Sequence, residues 1–298
     1  MRLILLLSFF VLTHSSYSQH SLVITDISQK QLRLLQKAAP MDSAGRHRLF
    51  VDSLYKPYSQ LWEGYMGDGD AVAEWMSDAI ARLPELQQKN ELVDGKKLLQ
   101  QFRQIEKRMI KLTGYRPKGN WYIIYGPAWT DLGGLGDFAM LIDLSHESNR
   151  SNERIVQILP HELTHQIMTN VNKHKDSTAI SPIIGEGFAV WMNQYYWKKY
   201  TLAENLGYTQ DELEACEKNL PALQKFFLAN KYSTNKDIIN AFRSRSVHLN
   251  PKLPGAIGYY IGYKIVEAYV QKHGPRSWKD VFVKSPREIY EESGFGEG

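Results

Sequence analysis

The chain has 298 residues, 43% hydrophobic and 23% charged, with a formal net charge of +4 and a single cysteine. That composition is ample for a buried core, and the length suits one large domain or two intimate ones. The weak basic balance comes without a dense Lys/Arg tract, which excludes a nucleic-acid-tracking surface, and one cysteine excludes both an internal disulfide and a cysteine-built metal site.

Residues 1–19 read as a secretory signal. Arg2 carries the positive charge, residues 3–12 are apolar, and Ser15-Ser16-Tyr17-Ser18-Gln19 is a small, polar cleavage stretch. The apolar run is too short to span a bilayer, and no second long run follows. No cysteine stands near the cleavage stretch to take a lipid. The expected mature protein is exported, periplasmic or secreted, and is not an integral membrane protein.

Residues 20–115 form an N-terminal helical region. Leu32, Leu35 and Ala39 recur at helical spacing, as do Leu49, Leu54, Tyr58 and Leu61. Ala71, Trp75, Ala79 and Ile80 mark another helix, stopped near Pro84. Leu98, Phe102, Ile105, Met109 and Leu112 mark a longer one, with Gly114 just beyond its end. With no processing signal after residue 19, this region reads as a buttress rather than a removable cover.

The texture changes at Pro117, and residues 116–298 form the second region. Trp121-Tyr122-Ile123-Ile124-Tyr125 is aromatic and β-branched and ends at Gly126-Pro127, which predicts a strand. Gly133-Gly134-Leu135-Gly136 reads as a flexible turn, and residues 138–144 as the next strand. Ser151 or Asn152 caps the following helix. Pro160 inside it implies either a kink or a separate helix that starts there. That helix runs to about Val171; residues 172–181 form a polar loop, and the next helix extends to about Tyr200. Further helices are expected over 211–218, 221–229, 235–242 and from Gly258 onwards. Cys216 belongs to one of them as a small packed residue. Gly258 and Gly262, one turn apart, allow another backbone to approach closely.

The chemistry concentrates in His161-Glu162-Leu163-Thr164-His165. On a helix, positions i and i+4 share a face, so both imidazoles reach one metal ion. Ile158, Leu159, Leu163 and Ile167 around them imply burial, where two unpartnered imidazoles would be costly. A catalytic zinc takes three protein ligands and keeps one open position. Glu186, 21 residues after His165 and near the start of a predicted helix, is the candidate third ligand; its alternative role is a dipole-favoured glutamate at a helix N-terminus.

These residues resemble those of zinc peptidases. Met168 and Val171 stand where the metzincin pattern needs Gly and His. Gly185-Glu186-Gly187-Phe188-Ala189 resembles the glutamate-ligand helix of gluzincins, with Gly185 in place of the usual Asn and Val190 in place of the acid four residues on. The two motifs, with the late Gly-Tyr-Tyr-Ile-Gly-Tyr helix, resemble a bacterial family of predicted zinc-dependent proteases of unknown function over about residues 120–272. The resemblance implies a zincin-like α+β fold, mostly helical, with a small sheet beside the metal helix. It also implies a peptide or protein substrate and Zn²⁺ held by His161, His165 and Glu186, with Glu162 as general base toward a metal-bound water. Tyr259, Tyr260, Tyr263 and His248 are candidates for the oxyanion donor; each could equally be a packed side chain, and Tyr259 is chosen. Asp137 is a weak candidate for binding a free substrate amine.

Two other classes stay open. A catalytically silent zincin-like domain would bind a peptide or partner, although intact ligands and base favour the peptidase. A structural zinc site would need a fourth protein ligand such as His174 or His146.

Overall fold

The computed structural model describes residues 22–136 and 139–296. The expected signal segment and Asp137 lie outside the described residues.

Four strands form one sheet: β1 (Leu22–Asp26), β2 (Gly119–Ile124), β3 (Leu132–Gly136) and β4 (Ala139–Asp143), in the order β1-β2-β4-β3. β2 pairs in parallel with both β1 and β4, whereas β3 runs antiparallel to β4. Between β1 and β2 come α1 (Ser28–Ala38), α2 (Ser43–Phe50), α3 (Ser59–Tyr65), α4 (Gly69–Ala79), α5 (Leu83–Leu92) and α6 (Gly95–Thr113). After the sheet come α7 (Asn152–Val171), α8 (Ile180–Tyr196), α9 (Leu202–Leu206), α10 (Gln210–Lys218), α11 (Leu220–Asn230), α12 (Lys236–Arg243), α13 (Ile257–His273) and α14 (Pro286–Ser293). The architecture is α+β and mostly helical, with a small sheet, as expected.

Trp121 shows how the layers meet. Its ring packs edge-on against Phe102 of α6 at 4.8 Å, and its indole N–H donates to Gln166 of α7. Asn120, the neighbouring residue on β2, reaches Gln60 of α3 instead, since successive side chains leave opposite faces of a strand. One contiguous buried cluster runs from Leu22 to Phe295.

Three local expectations need correction. β1 was not anticipated: Leu22-Val23-Ile24 is a short apolar run, and only pairing with β2 makes it a strand. The glycine stretch at 133–136 is not a loose turn but most of β3, paired through Gly133↔Leu141 and Gly134↔Met140. Main-chain bonds to β4 supply what glycine's weak strand preference does not. Of the two readings of Pro160, the structure takes the one in which a single helix runs through it. Ser151 caps that helix, its hydroxyl accepting from the Arg154 N–H, and Pro160 lies in the interior of α7. α8 also begins earlier than expected, with Pro182 in its first turn, so Glu186 sits well inside the helix.

The expected close approach of backbones is real. α8 and α13 cross at glycines, where a Cβ on Gly262 would lie 1.9 Å from the Ile183 carbonyl oxygen and one on Gly187 would lie 2.0 Å from the Gly262 carbonyl carbon. The crossing pins α8, and with it Glu186, against α13, which carries Tyr259.

Candidate metal centre

α7 brings His161 and His165 to one face, and α8 presents Glu186 opposite them. The two Nε2 atoms are 3.1 Å apart; Glu186 Oε2 is 3.3 Å from that of His161 and 3.1 Å from that of His165. Ligand atoms of a tetrahedral zinc, with bonds of about 2.0–2.1 Å, stand about 3.3 Å apart. The triangle therefore has the dimensions of three corners of such a site. Two imidazole nitrogens and a carboxylate oxygen suit Zn²⁺ among divalent ions. No other group of three or more such residues converges among the described residues. His146 and His174 stay out of it: His146 Nδ1 accepts from the Ser148 N–H, and His174 lies against the Val283 carbonyl.

The charges inside the triangle are strongly coupled. Burial opposes charge on His165, but the Glu186 carboxylate raises its pKa to about 9. Burial works against the Glu186 charge as well, and His165 with the bonds from both imidazoles nonetheless holds its carboxyl well below the usual range. Burial lowers His161, whose Nδ1 has no hydrogen-bond partner among the described residues. Burial pushes Glu162 up to about 8.

Tyr259 is the tyrosine the fold brings to the cluster. Its ring lies parallel to that of His161, with centroids 6.2 Å apart. Burial raises its phenol, and the Glu186 charge raises it further. Tyr260 is packed in the core, and Tyr263 donates to Glu267. His248 is exposed and bonded to the Leu253 carbonyl. Cys216 is buried, its thiol pushed up to about 12 by burial, which fits a packed residue.

Two of the cavities that reach the cluster share Glu162. One, of about 510 Å³, lies between β3 and α7, with Leu132, Gly133, Gly134 and Gly136 on one wall and Glu162, His165 and Glu186 on the other. The second, of about 570 Å³, shares His161, Glu162 and Tyr259 and continues toward Arg154 and Arg245. The loop after β2 walls the second cavity with Trp129 and Thr130, and it is built on Asp143. This buried carboxylate accepts from the main-chain N–H groups of Gly126, Ala128 and Ser145 and from the Tyr65 hydroxyl, which in turn accepts from Trp129 N–H. Sequence reasoning missed Asp143, Tyr65 and both arginines. The only signal for Asp143 is an acid closing an otherwise apolar strand.

No curated protein and no solved structure matches this chain. A family model described as gliding motility protein GldB, a lipoprotein family, matches residues 148–297. That match corrects the expected identity: the family is not a zinc metallopeptidase family. The assignments as a gluzincin-type protease, with Glu162 as general base and Tyr259 as oxyanion donor in peptide hydrolysis, fall with it. It agrees with export to the cell envelope, and among the described residues no helix is long and apolar enough to cross a membrane. Since the match takes in the histidine helix, Glu186 and Tyr259 and just over half of the sequence, the chain belongs to the family of the gliding motility protein GldB.

Proposed function

We propose that this chain is a catalytically silent, exported binding protein with a zincin-like site: it takes an extended segment of a peptide or partner protein into the cleft between β3 and α7. The observation that carries this reading is the position of β3. It is the edge of the sheet, paired on one side only with β4, and four of its five residues line the cleft opposite the histidine helix. An edge strand offers unpaired main-chain N–H and C=O groups to an incoming extended chain. Glycines at 133, 134 and 136 present no side chain at those positions, so the visitor can approach closely there.

His161, His165 and Glu186 would hold Zn²⁺. When bound, the ion supplies positive charge at the cleft floor and ties α7 to α8. Glu162 and Tyr259 flank the ligands and present a carboxyl and a hydroxyl to the bound segment. Arg243 lines the same cleft from the end of α12. A location in the periplasm, as part of the motility apparatus that the family name describes, fits an exported chain with a preformed peptide cleft.

The test is direct. The purified protein should hold about one zinc per chain, and His165→Ala and Glu186→Ala should each lose it. A mixed peptide library should bind, and mass spectrometry should find it intact whether or not a chelator is present. Chelator-sensitive cleavage would overturn the silent reading; failure to bind any peptide or partner would overturn the binding reading.

A further inference from the structure

Arg245 is an arginine held in place without a carboxylate. Its guanidinium carbon lies 4.8 Å from the centre of the Tyr259 ring and 5.4 Å from that of Tyr208. Its backbone is clamped as well, since a Cβ on Gly255 would sit 2.1 Å from the Arg245 carbonyl oxygen. Gly207 leaves room for the guanidinium: a Cβ there would come within 3.3 Å of one terminal nitrogen. Arg245 is exposed overall, and an exposed arginine is rarely gripped on several sides, because ordering a long side chain costs entropy. Here two aromatic faces and two glycines fix its direction, and both the guanidinium and Tyr259 line the second cavity.

The carboxylates on that cavity's wall are engaged elsewhere. Asp131 accepts from the Leu132 N–H, and Glu204 closes a capping box with Thr201. Glu162 stands at the metal end, which the cavity shares with the cleft along β3. Among the described residues Arg245 has no ion pair. Arg154 adds a second guanidinium to the same wall, with one nitrogen given to Gln157. A planar guanidinium fork, oriented in advance, matches a carboxylate through two parallel N–H···O bonds.

We propose that Arg245, supported by Arg154, is the anchor for a carboxylate of the bound segment, so that the cleft selects acidic peptides. This rests on the peptide-binding reading above and names the chemistry of its ligand. A chain lying along β3 would pass His161 and Glu162, which both cavities share, and set an acidic side chain against Arg245.

The experiment uses the zinc-loaded full-length mature protein and two fluorescein-labelled hexapeptide pools with amidated C-termini, identical except for Glu or Gln at one position. Fluorescence polarisation should show the Glu pool binding about tenfold more tightly, a margin that shrinks as salt rises. Arg245→Ala should reduce the margin between the two pools to less than about twofold. Arg245→Lys keeps the charge but loses the fork, so an intermediate margin is expected; it also serves as the test should the alanine variant fail to fold. A Glu pool no tighter than the Gln pool on the wild-type protein, or a full margin in folded Arg245→Ala or Arg245→Lys, overturns the carboxylate anchor and leaves peptide binding standing. If neither pool binds, the peptide-binding reading itself fails.

Discussion

At the scale of the residue, His165 carries two opposed demands. Burial lowers its basicity, yet the carboxylate of Glu186 raises it to about 9, above its ordinary 6.5. Without metal, the imidazole therefore keeps its proton at neutral pH and pairs with Glu186. A raised folded-state value means that this pair contributes its full stability below pH 6.5 and loses it as pH rises through about 9. Zinc needs the neutral ring, so binding must expel that proton. Zinc affinity should accordingly rise roughly tenfold per pH unit from pH 7 toward 9 and then level off. Titration calorimetry in buffers of different ionisation heat should count about one proton released at pH 7, and a count of zero would sink this account. The histidine pair was legible from spacing alone, because i and i+4 on a helix is a local relation. Arg245 was not, since its grip comes from Tyr208, Tyr259, Gly207 and Gly255, which the fold assembles from separate segments.

At the scale of the element, the crossing of α8 and α13 decides where Glu186 sits. Gly262→Ala would drive a methyl group into the Ile183 carbonyl, and the helices must separate to admit it. Overpacking at a rigid contact costs about 1–3 kcal/mol or more, so a large fall in the denaturation midpoint is expected, with weaker zinc binding as Glu186 shifts. Gly185→Ala is the matched control: on the same helix, a Cβ there meets nothing within 4 Å. It should stabilise by about 0.5–1 kcal/mol through helix propensity alone. Equal effects from the two substitutions would show that the crossing is not close-packed. Most helices were readable from apolar periodicity, and Gly258 and Gly262 announced a close approach. The glycine stretch that became β3 was not readable, because its strand character lies in the partner β4 rather than in its own side chains.

At the scale of the whole molecule, the two regions expected on either side of residue 116 share one buried cluster. β1 pairs with β2, and α6 packs against α7 through Trp121 and Phe102. A fragment comprising residues 116–298 would lose a strand neighbour and the helices that cover one face of the sheet. It should lack a cooperative thermal transition and dispersed amide resonances, and a well-folded fragment would show that the N-terminal helices are dispensable. By itself the sequence determined the helix-rich character of the chain and the histidine pair, because each depends on periodicity or short spacing along the chain, and it offered Glu186 only as a candidate to meet that pair. Only the tertiary structure decided that Tyr259 rather than Tyr260 or Tyr263 faces the cluster of His161, His165 and Glu186, that β3 is an edge strand, and that a clamped arginine lies beyond it. Those are relations between segments far apart in sequence, set by which faces pack together, and no local pattern encodes them.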